Sequence, residues 1–123
     1  MDYVTTVRVL VQETRQPIAG AYVELFDRDE HSEDDKLGEG KTNMHGEVLF
    51  KYSSADFSDG LLRSGDENRL TGDSVPDLYP VVYDATSNLV VSKRGEATNN
   101  KAALNILVLV DQVTALKHKL ISE

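Results

Sequence analysis

Within a few residues the chain sets Asp27, Asp29, Glu30, Glu33, Asp34 and Asp35 around Arg28 and His31. Such a cluster offers many hard oxygen ligands, and calcium is the cation it would select, because calcium accepts about six to eight oxygens in loose geometry. Magnesium demands a tighter octahedron, and zinc prefers His or Cys, which this stretch does not supply in suitable places. Asp84 joins the set if the strand that carries it ends at the same edge, so the candidate calcium ligands are Asp27, Asp29, Asp34, Asp35 and Asp84. The spacing does not match the helix-loop-helix calcium loop, which needs a central Gly and a closing Glu. Two other readings of the same residues stay open: a solvated loop, and a docking surface for a basic partner.

Other chemistry finds less to work with. His31, His45 and His118 stand apart from one another, and none lies beside a serine at the spacing of a catalytic unit. Acid-base catalysis needs a desolvated carboxylate, whereas a hydrophilic loop keeps its acids in water. Zero cysteines remove disulfides, thiolate metal sites and cysteine nucleophiles together. No catalytic residue is expected, and no cofactor besides the calcium ion. A formal charge of −8 argues against nucleic acid and anionic membrane surfaces, and favours cations or a basic protein partner.

The elements that must position these residues are strands. Residues 4–11 alternate Val7, Val9 and Val11 with Thr6, Arg8 and Leu10, and residues 21–27 alternate Ala21, Val23 and Leu25 with Tyr22, Glu24 and Phe26. That period of two marks strands with one face in a core. Pro17 and Gly20 make the join between them a loop of hairpin length, so the two strands are expected to lie close. Residues 36–42 return to extended structure, with Gly38 and Gly40 pointing to an edge or a bulge. Asn43-Met44-His45-Gly46 closes a tight turn before a strand at 47–52. Ser53 or Ser54 caps a single helical turn that ends at Phe57, and the glycine-containing connection 58–75 is expected to be the most mobile internal segment.

Residues 78–84 and 88–93 flank a turn and read as a hairpin, with Pro80 indicating an edge or a bulge. Residues 104–110 form the most hydrophobic strand, expected at the centre and buried on both faces. From Asp111 the period changes: Val113, Leu116, Leu120 and Ile121 recur at helical spacing, Asp111 is placed as a cap, and Lys117 and Lys119 sit where the helix dipole favours cations. The apolar stripe of this helix is expected to pack on the strands. The whole reads as one all-β domain spanning 1–123: a two-sheet, Greek-key sandwich of about seven strands over 4–110, with a short C-terminal helix in the tail 111–123. No basic segment followed by an apolar run opens the chain, and the run 106–110 is far too short to span a bilayer, so a soluble protein is expected, secreted or cytoplasmic.

Val9 to Val11, Pro17-Ile18-Ala19-Gly20, Val23-Glu24-Leu25-Phe26-Asp27, Leu37-Gly38-Glu39-Gly40 with Thr42, and Gly46-Glu47 resemble the transthyretin-like, carboxypeptidase-regulatory-like β-sandwich domains. Leu78-Tyr79-Pro80-Val81-Val82-Tyr83-Asp84 looks like a later strand of those domains, and the similarity is closest to copies in large bacterial toxin-like and surface proteins. The family is mostly noncatalytic, so the resemblance implies a binding or assembly module, alone or as an accessory domain of a larger secreted protein. The alternative it implies is a small-ligand carrier or hydrolase on the same scaffold. Relatives that hydrolyse hydroxyisourate carry a histidine on the first strand and end in Tyr-Arg-Gly-Ser. Here the first strand has no histidine and the sequence closes on Leu120-Ile121-Ser122-Glu123, so that activity does not carry over.

Overall fold

The computed structural model describes residues 2–29, 33–53, 76–99 and 103–121. The helical turn read at 53–57 and the connection 58–75 fall, but for Ser53, outside the described residues. Among the described residues eight strands form: β1 (Asp2–Val11), β2 (Tyr22–Asp27), β3 (Asp35–Lys41), β4 (Glu47–Ser53), β5 (Asp77–Tyr83), β6 (Leu89–Ser92), the two-residue β7 (Thr98–Asn99) and β8 (Ala103–Val110). A 3₁₀ turn spans Arg94–Glu96, and helix α1 covers Gln112–Lys117. One sheet has the order β4-β1-β8; the other runs β3-β2-β5-β6, with β7 pairing β5 beside β6. The result is the two-sheet, all-β sandwich read from the alternation.

Val7, Val9, Val11, Val23 and Leu25 are fully buried between the sheets with Val82 and Val108, while Thr6, Arg8, Tyr22 and Glu24 face outward. At one side the sheets close on each other through the β3–β4 turn, where Asn43 Oδ1 accepts from the N–H groups of His45 and Glu47. Asp111 caps α1 by accepting from Thr114 N–H at 3.0 Å. Ala115 is buried and Leu120 and Ile121 pack on the core, although Val113 is 74% exposed.

Three expectations are corrected. The 12–20 loop does not fold β1 back against β2: β1 pairs β4 and β8, β2 pairs β3 and β5, and the loop crosses between sheets. Pro80 sits on β5, flanked by β2 on one side and by β6 and β7 on the other. Its carbonyl accepts from Lys93 N–H at 3.0 Å, so its ring nitrogen faces the gap between β6 and β7, where no ladder donor is required. Finally, β8 is not central. Among the described residues it stands at the end of its sheet, paired in parallel with β1, and Asn105 and Leu107 are exposed.

Candidate functional site

The acidic residues are set by three strand ends and a turn. Asp27 closes β2, Asp35 opens β3, Asp77 opens β5, and Arg94 arrives from the 3₁₀ turn. Arg94 grips Asp34 with two nitrogens, Nε to Oδ2 at 2.7 Å and Nη2 to Oδ1 at 3.2 Å. The Tyr79 hydroxyl and the Asp29 N–H donate to the same carboxylate. These donors, Arg94 first, lower the Asp34 carboxyl to about 2 despite its desolvation. The Tyr79 hydroxyl is pushed up to about 12 by burial and then by its bond to Asp34. Beside it Arg28 pairs with Asp77 at 2.8 Å and donates to the Arg94 carbonyl at 3.1 Å. Asp34 and Asp77 are thereby neutralised by guanidinium groups.

Asp27 is the exception in this cluster. Its Oδ1 accepts from the Asp77 N–H at 2.8 Å, yet burial, aided by repulsion from Asp35, Asp77 and Asp29, raises its carboxyl to about 6. A carboxyl whose folded pKa lies above its ordinary 3.8 destabilises the fold when ionised. The cost is absent below about pH 4, grows as pH rises through 6 and is complete above it. Asp27→Asn keeps the acceptor and removes the charge. Relative to wild type it should therefore be unchanged near pH 4 and stabilised at pH 7.5 by about 1 kcal/mol, allowing for solvent screening of a half-buried group. Melting curves of the pair at the two pH values check this; equal differences at both would contradict the burial of Asp27.

Asp84 lies elsewhere. In the β2–β5 register Asp27 faces Leu78, and Asp84 follows Tyr83, so the two aspartates are separated by nearly the length of β5, about 20 Å. The strand that carries Asp84 ends at the opposite edge from the acidic loop, and the expected joining of Asp84 to that loop is corrected. Asp84 is instead buried among donors: Thr86 N–H at 2.9 Å, Thr86 Oγ1 at 2.8 Å, Asn88 N–H at 2.9 Å and His118 Nδ1 at 2.7 Å. An ionised carboxylate only accepts, so His118 carries its proton on Nδ1. His118 and these turn donors hold the Asp84 carboxyl well below the usual range. The pair straps the end of α1 to the β5–β6 turn, at the floor of an open groove of about 320 Å³ flanked by Lys117 and Lys119. His45 is exposed in its turn and His31 lies outside the described residues. Among the described residues, no group of three or more His, Cys, Asp or Glu is placed to hold a metal ion.

The place that the sequence reading missed is the outer side of β8. Gln12 N–H donates to the Val110 carbonyl at 2.8 Å, which fixes the phase of the parallel ladder. Leu104, Ile106, Val108 and Val110 turn their backbone groups to β1, and Asn105, Leu107 and Leu109 turn theirs away from it. Among the described residues β8 pairs with β1 alone. No residue of β8 is charged, and Leu107 is 51% exposed. Between β8 and the opposite sheet, where β5, the turn at Lys93 to Glu96 and Thr98 face it, lies a groove of about 230 Å³, lined by Leu78, Pro80, Lys93, Leu104 and Ile106. A run of alternating apolar residues can be seen in sequence, but the number of neighbours a strand has cannot.

No family model matches the chain, and no curated protein matches it. Eighteen chains of solved structures do. The crystal structure of a 9R-lipoxygenase from Cyanothece PCC8801 superposes with a TM-score of 0.52 at 18% identity, covering 88% of this chain and 16% of that one. A 3-chlorocatechol 1,2-dioxygenase from Rhodococcus opacus 1CP superposes with a TM-score of 0.36 at 13% identity over 68% of this chain and 39% of that one. The first likeness concerns fold alone, and the chain spans a small part of that protein; the second is too low to carry argument.

Proposed function

We propose that this chain is a noncatalytic β-sandwich module for binding or assembly, and that it engages protein through the outer side of β8. The observation that carries the reading is the phase of the β8 ladder, which turns the backbone donors and acceptors of Asn105, Leu107 and Leu109 away from β1 on a strand without charge. An apolar sheet edge of this kind is the template for strand addition, in which main-chain hydrogen bonds give affinity and alternate side chains give specificity. The transthyretin-like kinship and a role as accessory domain of a larger bacterial protein remain part of this proposal, on the motif resemblance given above; the two-sheet sandwich is the fold that both require.

The test is selection of displayed linear peptides on the immobilised protein, with Leu107→Pro as counter-target. Because the Leu107 N–H points away from β1, proline there blocks the edge without removing a β1–β8 bond. Enrichment on the wild type and none on Leu107→Pro is the expected result. No enrichment, or equal enrichment on both, would overturn the reading.

A further inference from the structure

The groove between the β5–β6 turn and the end of α1 takes no part in the β8 reading. It holds about 320 Å³, the scale of a small-molecule site, and is walled by the loop at Ala19 and Gly20, by the turn 84–88 and by residues 117–120. Its charge runs against that of the chain. Where the sequence has 21 acidic residues against 13 Lys and Arg, this lining sets Lys117, His118 and Lys119 against Asp84 alone.

Asp84 is committed inside the fold, because its two oxygens already accept from Thr86, Asn88 and His118. The last carbonyls of α1 are committed too: Thr114, Ala115 and Leu116 accept from the N–H groups of His118, Leu120 and Lys119. What remains open is cationic or can become so. His118 Nε2 has no partner among the described residues and is not sealed from solvent. Lys117 and Lys119 are exposed, and neither forms an ion pair among the described residues. Lys119 has φ of +59°, the left-handed backbone that closes a helix and ordinarily falls to glycine. A lysine in that place sets a cation at the rim against the backbone's own preference.

We infer that this groove binds a small phosphate monoester, its dianionic group held between Lys117 and Lys119 with one oxygen on His118 Nε2. Two ammonium groups match two negative charges. The imidazole nitrogen accepts a proton when neutral and donates one when charged, and a phosphate monoester supplies both the protonated and the bare oxygen near neutral pH, since its second pKa is about 6. One proton then serves the contact whichever partner carries it. Sulfate and carboxylate carry no such proton, and a phosphate diester has a single charge. The net charge of −8 disfavours a phosphate embedded in an anionic membrane.

The test is NMR titration of the ¹⁵N-labelled chain near neutral pH, at constant ionic strength, with ethyl phosphate, diethyl phosphate and sulfate. Ethyl phosphate should give saturable shifts confined to the amides of 84–88 and 117–120 and to the His118 ring nitrogens. The other two should bind at least about tenfold more weakly. Combining Lys117→Gln with Lys119→Gly should weaken ethyl phosphate at least about tenfold without lowering the melting temperature, because both lysines are exposed and glycine suits the left-handed backbone. Shifts that do not saturate, equal affinity for the three probes, or binding that survives the double variant would each overturn the proposal. Binding to vesicles of phosphatidic acid in phosphatidylcholine, with ethyl phosphate inert, would overturn it in favour of a membrane site.

Discussion

Val23→Asp is expected to abolish the cooperative melt. Val23 is fully buried on β2, which lies inside its sheet between β3 and β5, and its side chain meets the opposite sheet across the core. Among the described residues the core holds no cation to pair with a carboxylate there, and an unpaired buried charge costs several kcal/mol against a total stability of about 5 to 15. The neighbouring Glu24 points outward, so Glu24→Gln should leave the transition nearly where it was. Circular dichroism on both variants checks the pair. A retained sharp transition in Val23→Asp would mean that β2 does not face the core as described.

Gly46→Ala should be the most damaging small substitution in a turn. Gly46 has φ of +77°, and a Cβ there would lie 2.5 Å from the Val9 carbonyl oxygen and 3.2 Å from the Ile18 nitrogen. Those atoms cannot retreat cheaply, because Val9 N–H donates to the Gly46 carbonyl at 2.7 Å and Ile18 N–H donates to the Val9 carbonyl at 3.0 Å. Left-handed backbone alone costs a residue with a side chain about 1 kcal/mol, and the collision should bring the loss to about 3 kcal/mol or more. Gly20 is the control, with φ of +79° and nothing within 4 Å of an added Cβ. Gly20→Ala should lose only the backbone cost. Denaturant unfolding of the two variants measures the difference, and equal losses would remove crowding as the cause at Gly46.

The contrast between strands and their placement shows what this sequence discloses. The inward faces of β1 and β2 were legible because Val7, Val9, Val11, Val23 and Leu25 alternate strictly with residues that water accepts. The Asp111 cap was legible because its chemistry is local. Of the neighbours in the sheets only the hairpin at 78–84 and 88–93 was, and β5 and β6 do pair antiparallel; a connection such as 12–20 has the same length whether it folds back or crosses over. Pro80 reads in sequence as an edge or a bulge, yet it lies on an inner strand, at a gap between two short ones. Asp84 was grouped with the acidic loop because both are acidic. Only the β2–β5 register places it at the far end, against His118. The partners of Asp34 were equally hidden, because Arg94 lies sixty residues away and reaches it only through the fold.

The strand that Leu104, Ile106, Val108 and Val110 write so clearly was misplaced for a related reason. Leu107 and Leu109 look like a second buried face, whereas they lie on the open side of a three-stranded sheet whose inner face packs on a five-stranded one. Native-state amide hydrogen exchange along β8 tests that arrangement most directly. The N–H groups of Leu104, Ile106, Val108 and Val110 should exchange slowly, through unfolding, and those of Asn105, Leu107 and Leu109 should exchange faster by orders of magnitude. Uniform protection across all seven would contradict an outer side of β8 open to a partner.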